Sequence, residues 1–238
     1  MRRMLALTML AAAAVGAATR ADTPNTLTAQ EKADGWVLLF DGSTTAGWHS
    51  YNQTTMSEGW AVKDGALTRV GKATDISSDK EYASFDFKFD WKIAQGGNSG
   101  VMYHVVESPT YKSSYFTGPE YQLLDNLRHP DAKAGKDGNR TAGSDYDLYP
   151  PSADVTKPAG EWNESRIVIR GSHVEHWMNG KKYCEYEIGS EDWNNRVEHS
   201  KFGKMPGFAK NTKGYISLQG DHGNVCFTNI KLKVLKGK

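Results

Sequence analysis

The feature that most constrains this chain is a nine-residue run in which apolar and charged side chains alternate without a break. Its apolar members are Phe85, Phe87, Phe89, Trp91 and Ile93, and they are separated by Asp86, Lys88, Asp90 and Lys92. Successive side chains of a β-strand point to opposite faces of the sheet. The run therefore predicts a strand with one face in an apolar core and one charged face toward solvent.

Turn signals divide the rest of the chain into similar short segments. Asp64-Gly65 and Asn179-Gly180 are dipeptides that favour two-residue hairpin turns. Only one short helix is expected, near residues 191–197. Short strands at regular spacing with almost no helix predict an all-β fold, a two-sheet antiparallel β-sandwich or jelly roll. The segments that we interpret as further strands are 120–126, 166–170, 173–188 and 214–236.

Length and charge limit the possible functions. The chain has 238 residues, with 29 Lys and Arg against 28 Asp and Glu. A length of this order suits one all-β domain, which we place at residues 33–236. The near-zero net charge offers no electrostatic reason to expect a nucleic-acid partner or a membrane partner. Seven Trp, eleven Tyr and eight Phe suit both a sandwich core and stacking against sugars, and composition does not separate these uses.

The N-terminus has the pattern of a secretory signal peptide. Arg2 and Arg3 precede an apolar stretch at 4–18, and small residues at positions 19 and 21 suit cleavage before Asp22. We therefore predict a signal peptide at residues 1–21 and a periplasmic or secreted mature protein. The alternative is an N-terminal membrane anchor, for which the apolar stretch is short.

The chain has two cysteines, Cys184 and Cys226. In an exported protein they could form a disulfide, provided that their strands are neighbours. The other interpretation is two unpaired thiols that pack as small apolar side chains. Both interpretations stay open at the level of sequence, as does the oligomeric state.

Two segments place polar side chains where an alternating strand would hold a ligand. In the segment 120–126, Tyr121 and Leu123 share one face, so Glu120 and Gln122 point the other way, toward solvent or a groove. In the segment 214–232, the alternation breaks at Gln219, Asp221 and His222. Turn chemistry alone explains the Asp and Gly residues of this break, but a Gln followed by Asp-His is less usual there.

Other candidate residues depend on which face of a strand enters the core. His176 and Trp177 lie on opposite faces, and we expect Trp177 to be the one in the core. His176 would then lie on the face that carries the site, with Arg166 as a fixed positive charge nearby. The long polar segment 128–160 contains Tyr146 and Tyr149, which favour an ordered flap beside the site.

Several known catalytic patterns are absent from the sequence. It contains neither a Gly-x-Ser-x-Gly elbow nor a His-Glu-x-x-His zinc motif. The segment that begins at Glu120 also lacks the array of acids that jelly-roll glucanases use. This argues against a conventional two-carboxylate glycosidase.

Taken together, six segments resemble the 3-keto-disaccharide hydrolase family over about residues 33–236. They are Gly35-Trp-Val-Leu-Leu-Phe-Asp-Gly42, Gly97-Asn-Ser-Gly100, Gly118-Pro-Glu-Tyr-Gln-Leu-Leu-Asp-Asn126, Glu161-Trp-Asn163, His173 to Gly180, and Leu218-Gln-Gly-Asp-His-Gly223. The resemblance implies a concanavalin A-like jelly roll whose concave sheet holds a saccharide. It also implies chemistry on sugars oxidised at C3, in which a base removes the acidified C2 proton, the C1 substituent leaves, and water adds.

Such a reaction needs a base, an acid and donors for an enolate. We expect Glu120, His176 and His222 to transfer protons, without assigning which is acid or base. Substrate-binding residues are expected to be Gln122, Asn163, Arg166, Gln219 and Tyr149. No cofactor is expected, although a metal held by Glu120 and His222 stays open. The alternative function is a non-catalytic carbohydrate-binding module, which needs stacking aromatics and amides but no proton-transfer groups.

Overall fold

The computed structural model of the protein describes residues 23–236, so the signal peptide expected at 1–21 lies outside the described residues. Within that range the chain forms thirteen β-strands and two α-helices. The helices are α1 (Ala29–Ala33) and α2 (Glu191–Glu198). The strands are β1 (Val37–Leu38), β2 (Trp48–Ser50), β3 (Trp60–Lys63), β4 (Ala66–Arg69), β5 (Ile76–Ser78), β6 (Phe85–Ile93), β7 (Asn98–Val105), β8 (Glu120–Leu124), β9 (Asn163–Arg170), β10 (His173–Met178), β11 (Lys181–Glu187), β12 (Tyr215–Leu218) and β13 (Val225–Val234).

The strands form two antiparallel sheets, which confirms the expected all-β sandwich. The larger sheet has eight strands in the order β11-β10-β9-β6-β13-β4-β3, with β1 also paired to β13. The smaller sheet has five strands in the order β2-β5-β12-β7-β8. The turns at Asp64-Gly65 and Asn179-Gly180 join β3 to β4 and β10 to β11, and all four residues have positive φ, as a type I′ hairpin requires. The short helix expected near 191–197 is α2.

The aromatic run of β6 lies at the centre of the core. Its five apolar side chains are all at most 3% exposed, and Tyr121 and Leu123 of β8 are fully buried as well. The charged face of β6 does not face open solvent as expected, because Asp86 and Asp90 are each only 6% exposed. The guanidinium of Arg166 binds Asp86 through two hydrogen bonds of 2.6 Å, and the Asn229 amide donates to Asp90.

The segment before β1 lies over the outer face of the eight-stranded sheet. The Asn25 side chain donates to the carbonyl of Gly65 and accepts from Thr228 and the backbone of Asn229. The carboxylate of Glu31 in α1 binds the ammonium of Lys231 at 2.9 Å. This cover explains why part of the outward charged face is buried.

The two cysteines do not pair. Cys184 lies in β11 and Cys226 in β13, and three strands separate them in the sheet. Four steps of about 4.8 Å put the strands ~19 Å apart, far beyond the reach of a disulfide. Both thiols are free, so the second interpretation of the sequence is the correct one.

The long segment 128–160 is ordered and adds to the five-stranded sheet. It begins with a 3₁₀ turn at Pro130–Lys133, and the backbone of Ser144 and Tyr146 hydrogen-bonds to the edge of β8. This pairing extends the sheet beyond its β8 edge. No helix within residues 23–236 is long and apolar enough to cross a membrane.

Candidate functional site

A cavity of about 220 Å³ opens on the outer face of the five-stranded sheet. Its floor comes from three neighbouring strands. Gly100 of β7 pairs with Gln122 of β8, and the backbone N–H of Gln219, directly after β12, donates to the Gly100 carbonyl at 2.9 Å. The strand alternation expected from the sequence is observed here, since Tyr121 and Leu123 face the core while Glu120 and Gln122 face the cavity.

The carboxyl group of Glu120 occupies the space above a glycine. A Cβ at Gly100 would lie 2.1 Å from Glu120 Oε1, which is closer than any real contact. Only glycine leaves room for the carboxyl at this position of the floor. The motif Gly97-Asn-Ser-Gly100 therefore leaves room for the Glu120 carboxyl in addition to forming a turn.

Burial raises the pKa of the Glu120 carboxyl to about 7. The side chain is only 3% exposed, and within residues 23–236 no hydrogen-bond donor reaches its carboxylate. Positive charge on Lys201 and His222 lowers this pKa, whereas the carboxylates of Asp75 and Asp221 raise it. A carboxyl group that titrates near neutral pH inside a cavity is suited to proton transfer.

His222 lies at the rim of the same cavity, in the loop between β12 and β13. Its Nδ1 is hydrogen-bonded to the carboxylate of Asp221. This bond raises the pKa of the imidazole above its usual 6.5, and the negative charges of Asp221, Glu120 and Asp75 raise it further. The cavity therefore holds a carboxyl group on its floor and an imidazole at its rim, and the pKa of each is raised above its usual value.

Two amides of the floor have unused hydrogen-bonding capacity. The Nε2 of Gln122 and the Oε1 of Gln219 are buried, and neither has a partner in the described part of the chain. Buried polar atoms are normally paired, and unpaired ones carry a free-energy cost. One donor and one acceptor on the cavity floor are matched to a ligand that carries hydroxyl or carbonyl oxygens.

The walls of the cavity come from loops distant in sequence. The Tyr146 hydroxyl donates to Asp131 at 2.9 Å. The Lys201 ammonium lies 4.1 Å from the centre of the Tyr146 ring and 5.0 Å from that of Tyr115. No carboxylate in residues 23–236 is within ion-pair distance of this ammonium, so its charge is available to a ligand. Asn98 and Met205 complete the lining.

Sequence reasoning missed Lys201, Tyr115 and Asn98, and it named Tyr146 only as a member of the flap. Lys201 follows α2 in a 3₁₀ turn, Lys201–Lys204, in a segment rich in lysine. Nothing in the local pattern distinguishes it from its exposed neighbours. Asn98 lies in one of the six family-like segments and is the residue that the sequence could have identified.

The structure does not bring His176 into the cavity. His176 is fully buried between the sheets, where its ring contacts the Gly143 carbonyl and the Tyr186 hydroxyl, both at 3.2 Å. Burial lowers its pKa to about 3, so the imidazole is neutral at physiological pH. The expected facing of β10 was wrong, because Trp177 lies on the outer face and the smaller His176 enters the crowded aromatic core.

Three other expected site residues also lie away from this cavity. Arg166 lies on the outer face of the eight-stranded sheet, paired with Asp86. Asn163 is buried and hydrogen-bonds to the backbone N–H of Lys157, so it holds a loop in place. Tyr149 stacks on Tyr186 with ring centres 4.6 Å apart. Each of these three side chains therefore has a partner within the protein and lies outside the cavity that holds Glu120.

Convergent metal-ligating groups occur elsewhere in the described residues. His173, Glu175 and Glu185, at the β10–β11 edge of the larger sheet, have ligand atoms within 4.8 Å of one another. His173 is already bonded to Glu187 at 2.7 Å, and Lys182 neutralises Glu185. Internal ion pairing accounts for this group, and it lies on a different sheet from Glu120 and His222.

The chain is similar to known proteins over most of its length. The sequence matches the family model of the 3-keto-alpha-glucoside-1,2-lyase-like domain over residues 35–233. A Bacteroides thetaiotaomicron protein named 3-keto-disaccharide hydrolase is 35% identical over 231 residues, which cover 85% of this chain and 79% of that protein. The crystal structure of a Parabacteroides distasonis protein, provisionally described as a glycosyl hydrolase, is 40% identical with a TM-score of 0.84, covering 90% of this chain and 100% of that one. A second such structure from P. distasonis is 26% identical with a TM-score of 0.65, covering 84% and 99%.

Proposed function

The chain belongs to the 3-keto-alpha-glucoside-1,2-lyase-like family, and we propose that it is an exported enzyme that cleaves the glycosidic bond of 3-keto-glycosides. The observation that carries this proposal is the Glu120 carboxyl group. It is buried in a cavity, has no hydrogen-bond partner among the described residues, and has its pKa raised to about 7. A purely sugar-binding cavity has no use for such a group, because an unpaired buried carboxyl weakens the fold.

In the proposed reaction Glu120 is the base. A ketone at C3 acidifies the C2 proton, and the Glu120 carboxylate removes that proton from below the sugar ring. The electron pair forms an enolate between C2 and C3. The ammonium of Lys201 and the unpaired Nε2 of Gln122 face the cavity, and they can stabilise the enolate oxygen.

His222 is the proposed acid. It lies at the rim, where the leaving group exits to solvent, whereas Glu120 lies on the floor. As the C1–O bond breaks, His222 gives its proton to the departing oxygen, leaving an enone. Water then adds at C1 and a proton returns to C2, so that the sum of the steps is hydrolysis. The raised pKa of His222 favours its protonated form, which is the form that a general acid needs.

This division of roles predicts a bell-shaped pH dependence of kcat/KM. The rate rises as Glu120 loses its proton, through a pH of about 7. It falls again as His222 loses its proton above its usual value of 6.5. Initial rates measured across the pH range check both limbs.

Leaving-group chemistry separates the two roles. We expect Glu120→Gln to lose about 10²–10⁴-fold in kcat on both methyl and 4-nitrophenyl 3-keto-glucoside. His222→Asn should lose a similar factor on the methyl glycoside but little on the 4-nitrophenyl glycoside, because nitrophenolate leaves without a proton. Glu58→Gln and His199→Asn, exposed residues outside the cavity, are the matched controls.

Two outcomes would count against the proposal. Equal turnover of the keto sugar by wild type and Glu120→Gln would exclude Glu120 as the base. Binding of 3-keto-glucoside without release by the wild-type protein would favour the carbohydrate-binding alternative. The unoxidised glucoside serves as a parallel substrate, and a parallel assay with a chelator tests whether a metal ion takes part.

Export is proposed from the N-terminal sequence. Cleavage before Asp22 would release a mature chain that begins ahead of the described residues. Fractionation of the producing cells and the intact mass of the recovered protein test this. A full-length, cytoplasmic protein would contradict it.

A further inference from the structure

A second cavity lies on the opposite side of the sandwich from Glu120. It has a volume of about 350 Å³ and opens on the outer face of the eight-stranded sheet. Strands β6, β9, β10 and β13 form its floor, and Glu31 of α1 forms one wall. Its lining shares no residue with the cavity that holds Glu120.

A row of cations crosses the floor of this cavity. The strand register pairs Lys231 of β13 directly with Lys88 of β6, and Lys88 directly with Arg166 of β9. Directly opposed side chains in a sheet lie about 5 Å apart, and like charges there destabilise the pair. Three cations in register therefore have a cost that the fold must offset.

The two outer cations of the row form ion pairs and the central one does not, although the carboxylates of Asp90 and Glu164 line the same cavity. Lys231 binds Glu31, and Arg166 binds Asp86. No carboxylate in residues 23–236 is within ion-pair distance of the Lys88 ammonium, which lies 4.3 Å from the centre of the Trp36 ring. Burial lowers the pKa of Lys88; the charges of Asp86 and Glu31 raise it, whereas those of Arg166 and Lys231 lower it.

An aromatic wall stands beside this row. Trp177 of β10 is directly opposite Arg166, and its indole lines the cavity. Its Nε1 donates to Glu175 at 2.7 Å, which holds the ring in place. A half-buried tryptophan on the outer face of a sheet loses the free energy that full burial would provide.

We infer that this cavity is a second saccharide site, specific for a sugar residue that carries an anionic group. The Lys88 ammonium would bind the carboxylate or sulfate through charge-assisted hydrogen bonds, and the same contact would relieve the repulsion within the row. The Trp177 ring would contact the apolar face of the sugar. Binding here does not depend on catalysis at Glu120, so the inference stands or falls separately from the proposed function.

Calorimetric titration with small probes tests the inference. The probes are methyl glucuronide, glucose 6-sulfate, the neutral methyl glucoside and inorganic sulfate. We expect one-to-one binding of at least one anionic sugar, with affinity that weakens as salt is added. The neutral glucoside and inorganic sulfate should each bind at least about tenfold more weakly, since each lacks one of the two contacts. The choice between glucuronide and sulfated glucose identifies the anionic group.

Variants separate a built site from a chance arrangement of charges. Lys88→Gln and Trp177→Ala should each weaken binding about tenfold or more. Lys92→Gln is the matched control, because Lys92 lies on the same face of β6 and over a tryptophan ring, but opposite Cys226 and outside the cavity. Saturation with the anionic sugar should leave the release of product from a 3-keto-glucoside unchanged in the wild-type protein.

Three results would overturn the inference. These are the absence of saturable binding for either anionic sugar, equal affinity of wild type and Lys88→Gln, and equal affinity for inorganic sulfate and the sugars. A stability measurement keeps the test independent of ligand choice. Relief of the like-charge contacts should raise the melting temperature of Lys88→Gln above that of Lys92→Gln in the ligand-free protein, and the reverse order would contradict the proposed repulsion.

Discussion

Replacing Glu120 by glutamine should stabilise the protein, and the gain should depend on pH. Burial raises the pKa of this carboxyl from 4.5 to about 7. The folded chain therefore keeps a proton that the unfolded chain has already lost between those two pH values. In that window stability falls as pH rises, and the loss is complete above pH 7. Since one pH unit corresponds to 1.36 kcal/mol, the total cost is roughly 3 kcal/mol.

Glutamine has nearly the same shape and carries no charge, so Glu120→Gln removes this cost. At about pH 8 we expect a gain of roughly 3 kcal/mol, which corresponds to an increase of about 6–12 °C in melting temperature. At about pH 5 the expected gain is under about 1 kcal/mol. Urea unfolding of both proteins at the two pH values measures the difference, with the exposed Glu58→Gln as the control.

An equal gain at both pH values would refute this reasoning, because a change in packing has no reason to follow the titration of a carboxyl. A loss of stability at the higher pH would refute it more strongly. It would mean that the Glu120 charge is solvated or paired in the folded protein. The expected combination of higher stability and lost turnover is the pattern of a functional group that the fold tolerates at a cost.

Three further substitutions test the surroundings of the site and the core. Gly100→Ala places a Cβ 2.1 Å from Glu120 Oε1. We therefore expect the free energy of unfolding in urea to fall by about 1–3 kcal/mol and turnover to be reduced. Wild-type kinetics would contradict the placement of the carboxyl. Gln122→Leu removes a buried, unpartnered amide nitrogen together with the Oε1 that accepts from the backbone N–H of Leu123. These losses oppose each other, so unfolding should show little change in stability while KM for the keto sugar rises; an unchanged KM would exclude Gln122 from binding. His176→Gln removes an imidazole whose pKa burial lowers to about 3. The imidazole takes up a proton below pH 6.5 in the unfolded chain but not in the folded one. The free energy of unfolding of the wild type should therefore fall by about 2 kcal/mol between pH 7 and pH 5, and the variant should lack this fall. The same pH dependence in both proteins would show that His176 is not buried as a neutral group.

Alternation in β8 identified half of the cavity floor correctly. Tyr121 and Leu123 were expected in the core, so Glu120 and Gln122 were expected to face the other way, as the structure shows. The break after β12 placed Gln219 and His222 at the edge of the same sheet. These residues were predictable because strand geometry relates each side chain to its immediate neighbours in sequence.

The same rule failed in β10, for an informative reason. Alternation shows which residues share a face, but it does not show which face is covered. Outside the core, Trp177 is flanked by Arg166 and Lys182, with ring distances of 5.7 and 5.9 Å. Inside, His176 fits among Tyr103, Tyr121 and Tyr186, where a larger ring would have to displace them.

The sequence by itself determined the class of fold, the strands and their hairpins, and the family, because these depend on local periodicity, turn chemistry and short motifs. Tertiary structure alone decided which candidates meet. Lys201 and Tyr146 reach Glu120 from segments far along the chain, while His176 and Arg166 are carried to other layers of the sandwich. The pKa of about 7 for Glu120 likewise follows from burial, which is a property of the packed sheets and their loops and is not encoded in any single stretch of residues.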